Sequence, residues 1–234
     1  MRPAPAQTRG DATRDALIAA ALEIFGRDGF HAASTRAIAE AAGANQASIS
    51  YHFGGKEALY LAVFEHIAAQ VMQRQDAAIA AIEAVLAEPD HAEDENARMA
   101  HYLPPLLRFV DGMATMLTSR ESAAGARLIL REQQAPTSAF ALLYEKVMGR
   151  VLDLLTRLLQ RLYGTDADVR LQVATTLGQA LVFRAAHAAV LRLMDWQEIG
   201  EPELAAIQRQ IRRNLTAQLF QCGQTDARQG PHSR

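Results

Sequence analysis

Apolar residues recur along this chain at three- and four-residue intervals, the period of one face of an α-helix. Leu17, Ala21, Ile24 and Phe25 form such a stripe over residues 11–27, and the "RDGF" that follows offers Gly29 as a stop. Ser34 is placed to cap a second helix over "TRAIAEAAG", with Ile38, Ala39 and Ala42 facing inward. Ala37 stands where a capping box would carry Glu. Gly43 ends this helix, and Asn45 caps a third, "QASISYHF". Two short helices across a Gly-bearing turn predict a helix-turn-helix. Leu59, Val63, Ile67 and Val71 carry a fourth helix from Lys56 to about Ala87, where Pro89 bars continuation.

Further helices are expected over "EDENARMAHYLPPLLRFVDGMATML", kinked at Pro104 and Pro105, over "AGARLILREQQ", and over 137–163, 166–194 and 202–221. No stretch sustains the period of two that marks a strand, so the expected fold class is all-α. The organisation predicted is an N-terminal three-helix helix-turn-helix domain at 11–56 and a larger helical domain at 57–222, with 57–87 as a linking helix. Residues 1–10 and 223–234, rich in Pro, Gly, Gln and Ser, read as loose tails.

The third helix has a distinctive outer face. Measured from Ile49 at about 100° per residue, Phe53 shares the buried side, while Ala47, Ser48, Ser50 and Tyr51 point outward. Hydroxyls bond phosphates or base edges, and an alanine can touch a thymine methyl. Small groups and hydroxyls on an outer face therefore suit close approach to a duplex.

Charge narrows where such a surface can lie. The chain of 234 residues is 50% hydrophobic and 21% charged, with a formal charge of −2, which is not a generally basic nucleic-acid binder. Residues 1–56 hold Arg2, Arg9, Arg14, Arg27, Arg36 and Lys56 against Asp11, Asp15, Glu23, Asp28 and Glu40, and 43–56 contain no acid at all. Arg9 and Arg14 are either solvated or an arm reaching toward a DNA backbone or minor groove.

Other features set limits. Cys222 is the only cysteine, so no intrachain disulfide forms, and a reducing cytoplasm is the expected location. The start, "MRPAPAQTRG", has no apolar run of a secretory signal, and no window of 18 apolar residues predicts a membrane span. No histidine pair has metal-ligand spacing, and no nucleophile–base set or phosphate loop is present, so neither metal, cofactor nor enzyme activity is expected.

At this point the residues resemble a known family. "ALIAAALEIFGRDGFHAASTRAIAEAAGANQASISYHFGGKEALYLAV" resembles the N-terminal DNA-binding domain of TetR/AcrR-family bacterial transcriptional regulators, with "IAEAAG" and "YHFGGKEALY" the most specific pieces. The resemblance implies a homodimer that reads a palindromic double-stranded DNA operator and a helical C-terminal domain that binds a small-molecule effector. Carried over by position, Thr35 resembles a phosphate contact, Gln46, Ala47 and Ser50 base-reading positions, and Tyr51, His52 and Lys56 backbone contacts. With Arg36, Asn45 and Ser48 these form the candidate DNA-binding set. The family often has Gly at position 47 and Tyr at position 50, so no relative's operator can be borrowed. "ILREQQAPTSAFALLYEKVM" is similar to the CecR subgroup, "REQ…PT.A" being the telling part, and that subgroup is associated with transport and antibiotic-sensitivity genes.

The C-terminal half leaves alternatives open. Arg127, Arg131 and Glu132 are either surface ion pairs or polar lining of an effector cavity. Met113 and Met148 are either adaptable pocket residues or core filler. Arg184 interrupts an apolar run and needs partners. With His101 and Tyr144 these are the candidate ligand contacts. Leu177, Gly178, Leu181 and Leu191 are candidate seam residues of a dimer formed by the last two helices. The expected function is a ligand-responsive regulator, most simply a repressor; the rivals are a helical enzyme and a partner-binding scaffold without DNA affinity.

Overall fold

The computed structural model describes residues 9–90, 94–163 and 168–226, with side chains between 10 and 218 within those spans. The described regular structure is helical throughout: α1 (Arg9–Ala32), α2 (Thr35–Ala41), α3 (Ala47–Phe53), α4 (Lys56–Ala87), α5 (Glu95–Thr118), α6 (Ala123–Gln134), α7 (Ser138–Leu143), a π-helical turn (Tyr144–Met148), α8 (Gly149–Tyr163), α9 (Val169–Ala185), α10 (His187–Leu193) and α11 (Glu201–Asp226). They group into two compact units. One holds the described residues up to Val71 together with Glu121–Met148, and the other holds Met72–Arg120 with the described residues from Gly149 onward.

In the first unit α1, α2, α3 and the start of α4 enclose Leu17, Ala21, Ile24, Phe25, Ile38, Ile49, Leu59, Val63 and Phe64. Tyr60 stands at the centre of an aromatic group, its ring 5.0 Å from Phe25, 4.9 Å from Phe30 and 5.0 Å from Phe64. Such edge-on and tilted rings add to their area burial. Helix α6 lies against α1 because both present small residues: a Cβ on Gly26 would meet the backbone of Ala124 at 3.1 Å. This is where the division differs from the contiguous one expected at residue 56. Ala124, Ala126 and Leu128 of α6 are buried within the first unit.

The second unit is built from the later part of α4, α5, α8, α9 and α11. Leu154, Leu155, Leu158, Leu159 and Leu162 give α8 one wide apolar face, buried with Tyr102, Leu106, Phe109, Val110, Val173, Ala180, Ile207, Ile211 and Leu215. Gln75 is a polar residue inside this core, its Nε2 donating to the carbonyl of Phe109 at 3.4 Å.

Several element boundaries differ from those expected. Gly29 interrupts α1 at φ 80°, ψ 170°, where the stop was expected, and a further helical turn follows it to Ala32. Pro104 and Pro105 lie inside α5, within the single helix expected across them. The helix expected over 137–163 runs without a gap from Ser138 to Tyr163 but passes through a π-turn, and that over 166–194 ends at Ala185 and restarts at His187. Helix α11 continues to Asp226, past the expected start of a tail at 223. The expected starts and tails at 1–8, 164–167 and 227–234, and the side chains of Arg9 and Cys222, fall outside the described residues.

Candidate nucleic-acid interface

Helix α3 is set by the turn before it. Ser34 Oγ accepts from the amide of Ala37, the expected cap of α2. At its other end Ala44 N–H donates to Ala39 C=O at 2.9 Å and Gly43 N–H to Glu40 C=O at 3.1 Å, the paired bonds of a Schellman ending. That ending needs positive φ at residue 43, which Gly supplies at 62°. Asn45 Oδ1 then accepts from Ala47 N–H at 3.0 Å and starts α3, one residue beyond the helix start read from the sequence. Gly54, left-handed at φ 83°, ends α3 after seven residues.

Within α3 the sides are sorted as the periodicity requires. Ile49 is buried, while Ala47, Ser50 and Tyr51 are exposed, Tyr51 at 85%; Ser48 and His52 are half-buried. The Tyr51 and His52 rings meet edge-on at 5.0 Å. Asn45, Gln46 and Arg36 are exposed beside them, and Gln46 Nε2 donates to Thr35 Oγ1 at 3.3 Å, joining the starts of α2 and α3. Arg14 of α1 stacks over Phe53 at 5.3 Å. Lys56 Nζ sits 4.7 Å over the Phe30 ring and donates to the carbonyl of His31 at 3.4 Å. The structure thus brings all ten candidate DNA-contacting residues onto α2, α3, the turns beside them and the start of α4, within one unit. This surface offers hydroxyls, amides and the cations of Arg36 and Lys56, the donors that phosphates and base edges accept.

The candidate ligand contacts divide between the units. Arg127 Nε donates to Gly26 C=O at 3.2 Å, Arg131 to Arg27 C=O at 3.1 Å, and Glu132 accepts from Tyr60, so all three are engaged inside the first unit. Tyr144 is half exposed beside Phe140, and Met148 sulfur accepts from Gln133 at 3.5 Å. In the second unit His101 faces Glu88 at 3.4 Å, Met113 packs against the core, and Arg184 donates to the carbonyls of Leu117 and Ser119 at the end of α5. None of the eight lines the groove of about 600 Å³ that the second unit does present, formed by Met99, Ala100, Leu103, Pro104, Leu107, Arg108, Asp111 and Arg212. Five of those eight residues, Met99, Ala100, Leu103, Pro104 and Leu107, have apolar side chains, so residue type alone does not mark them as a groove lining.

Of the candidate seam residues, Gly178 and Leu181 lie on the open face of α9, Leu191 is half-buried, and Leu177 packs partly against its own unit's core. Leu171 and Val182, not singled out from the sequence, extend that open face at 60% and 44% exposure. Thr176 takes a core position at 2% exposure, so leucines alone do not mark which side of this helix is buried.

An all-helical chain whose first three helices present a capped recognition helix is the architecture of one class of bacterial regulators. The model of the N-terminal domain of tetR-family bacterial regulatory proteins matches residues 17–63, and the chain belongs to that family of DNA-binding transcriptional regulators. Its C-terminal half matches the model of the C-terminal domain of the HTH-type transcriptional dual regulator CecR over residues 105–220. It is 34% identical to that regulator from Shigella flexneri over 211 residues, 88% of this chain and 92% of the relative. Among solved structures, a TetR-like transcriptional regulator from a Rhodococcus species aligns with a TM-score of 0.60 at 17% identity, covering 91% of this chain and 99% of that one. The fatty acid degradation regulator FadR from Bacillus halodurans aligns with a TM-score of 0.58 at 19% identity, covering 91% and 95%. At such identities these two establish the shared fold.

Proposed function

We propose that this protein is a homodimeric repressor that binds a palindromic operator through paired α3 helices and is released by a small molecule. The observation that carries the reading is the sorting of α3: Ile49 buried, Ala47, Ser50 and Tyr51 exposed, on a segment without acids. Two such helices in successive major grooves about 34–36 Å apart read two half-sites. The open apolar face of α9, with Leu171, Gly178, Leu181 and Val182, supports pairing with a second copy. The effector belongs to the second unit in this account. The groove along α5, lined by apolar residues together with Arg108, Asp111 and Arg212, is a cavity such a molecule can enter. The effector acts by preferring the state that binds DNA less well. The CecR resemblance extends the reading to transport or drug-sensitivity genes as targets, in the cytoplasm.

The test is binding to the DNA upstream of its own gene across a salt series, beside a Ser50→Ala/Tyr51→Ala variant. The reading expects a sequence preference that weakens as salt rises and is lost in the variant. Equal binding to random DNA, or an unaffected variant, counts against α3 as the reading element and in favour of a scaffold or enzyme.

A further inference from the structure

The "REQ…PT" segment has no evident place in DNA reading, yet the structure ties it to the helix-turn-helix. Glu132, near the end of α6, is 3% exposed. Its carboxylate accepts from Tyr60 Oη at 3.0 Å, Thr137 N–H at 2.8 Å, Thr137 Oγ1 at 2.9 Å and Phe140 N–H at 3.2 Å. A buried carboxylate is tolerated when it is this fully hydrogen-bonded, and its removal leaves those donors unpaired. Thr137 caps α7, its Oγ1 also accepting from Ala139 N–H at 3.2 Å. The neighbouring arginines reach the other way, Arg127 to Gly26 C=O and Arg131 to Arg27 C=O on α1.

The tie leads to the DNA-facing surface in three steps. Glu132 holds the phenol of Tyr60. The Tyr60 ring packs on Phe30 at 4.9 Å. The same ring, which also meets Phe25 and His31, carries Lys56 Nζ 4.7 Å over it, one helical turn before Tyr60 on α4. Lys56 is also bonded to the end of α1 through His31 C=O, in the stretch where Arg131 bonds Arg27 C=O.

We propose that Glu132 is a positioning residue for DNA binding: from α6 it fixes Tyr60, and through Tyr60 and Phe30 the ammonium of Lys56 that meets the DNA backbone. This rests on the DNA-binding reading above. It places a determinant of DNA affinity about 70 residues beyond the segment that carries the helix-turn-helix resemblance.

The test uses the full-length chain with Glu132→Gln, Lys56→Ala and the double variant. DNA affinity is measured against salt, and amide exchange is measured without DNA. A glutamine keeps the size but offers one acceptor oxygen where the carboxylate offers two. Losing Lys56 lowers the slope of log affinity against log salt by about one. The proposal expects Glu132→Gln to lower the slope most of the way toward that of Lys56→Ala, with little further loss in the double variant. It also expects faster exchange at 26–33 and 56–62. A residue that merely supports folding would reduce binding equally at every salt concentration and leave the slope alone, which overturns the proposal. Simple loss of a negative charge would tighten DNA binding, which overturns it too. Should the parent chain show no salt-dependent DNA binding, the DNA-binding reading fails. The tie is then judged on exchange alone, and unchanged exchange at 26–33 and 56–62 overturns it.

Discussion

Tyr60 Oη donates to the carboxylate of Glu132 at 3.0 Å, joining α4 to α6 across 72 positions of sequence. The phenol is buried, and that burial first, then the bond to Glu132, raises its pKa well above the ordinary value of about 10. Folded protein therefore keeps the proton at a pH where unfolded chain releases it. The stability this provides is present below pH about 10 and is lost as pH rises beyond it. Urea unfolding followed from pH 8 to 11 should show a steeper alkaline loss in the parent chain than in Tyr60→Phe. Near pH 7 the same substitution should cost about 1.5–3 kcal/mol, the range for a hydrogen bond to a charged group. Equal alkaline slopes in the two proteins would contradict this assignment.

Gly54 gives a purely conformational test. Its φ is 83° and nothing lies within 4 Å of where a Cβ would stand. Gly54→Ala should therefore cost about 1–2 kcal/mol through backbone strain alone. Because this residue ends α3, the helix proposed to read DNA, DNA affinity should fall with stability in paired melting and binding assays.

Gly178 answers in the opposite sense. It sits inside α9 with ordinary helical φ and open space around it, so in a lone chain Gly178→Ala should stabilise by about 0.8–1 kcal/mol. Gly178→Leu would add bulk to the face proposed to pair with a second copy. Sedimentation equilibrium should then show weaker self-association for the leucine variant with the fold intact. A dimer unaffected by Gly178→Leu places the seam elsewhere.

Gly112 depends on Gln75. A Cβ at 112 would fall 2.7 Å from Gln75 Oε1, a buried atom without a hydrogen-bond partner among the described residues. Gly112→Ala should destabilise by about 1–3 kcal/mol, as overpacked cores do. Gln75→Ala should relieve part of that loss in the double variant, read as a positive coupling in a thermodynamic cycle.

What was legible in the sequence was what depends on local spacing. The Ser34 cap, the Gly43 stop and the buried side of α3 follow from short-range rules, and the structure has each of them. The break at Ala186 has no such signal, because no Pro or Gly marks it, and at the π-turn over Tyr144–Met148 the one local mark is Gly149 just after it. The role of α6 was hidden for a different reason. Arg127, Arg131 and Glu132 look the same in sequence whether they line a cavity or satisfy carbonyls and donors of distant helices. Only the close approach of Gly26 to Ala124 decides which neighbour α6 has, and that pairing spans about a hundred residues.

The most direct measurement is selection of bound sequences from random duplex DNA by the full-length chain. The account predicts an enriched inverted repeat with half-site centres about one helical turn, 34–36 Å, or a multiple of it apart. It also predicts that the Ser50→Ala/Tyr51→Ala variant changes or abolishes the enriched half-site. No enriched sequence, or one that the variant recovers unchanged, would contradict α3 as the element that reads DNA.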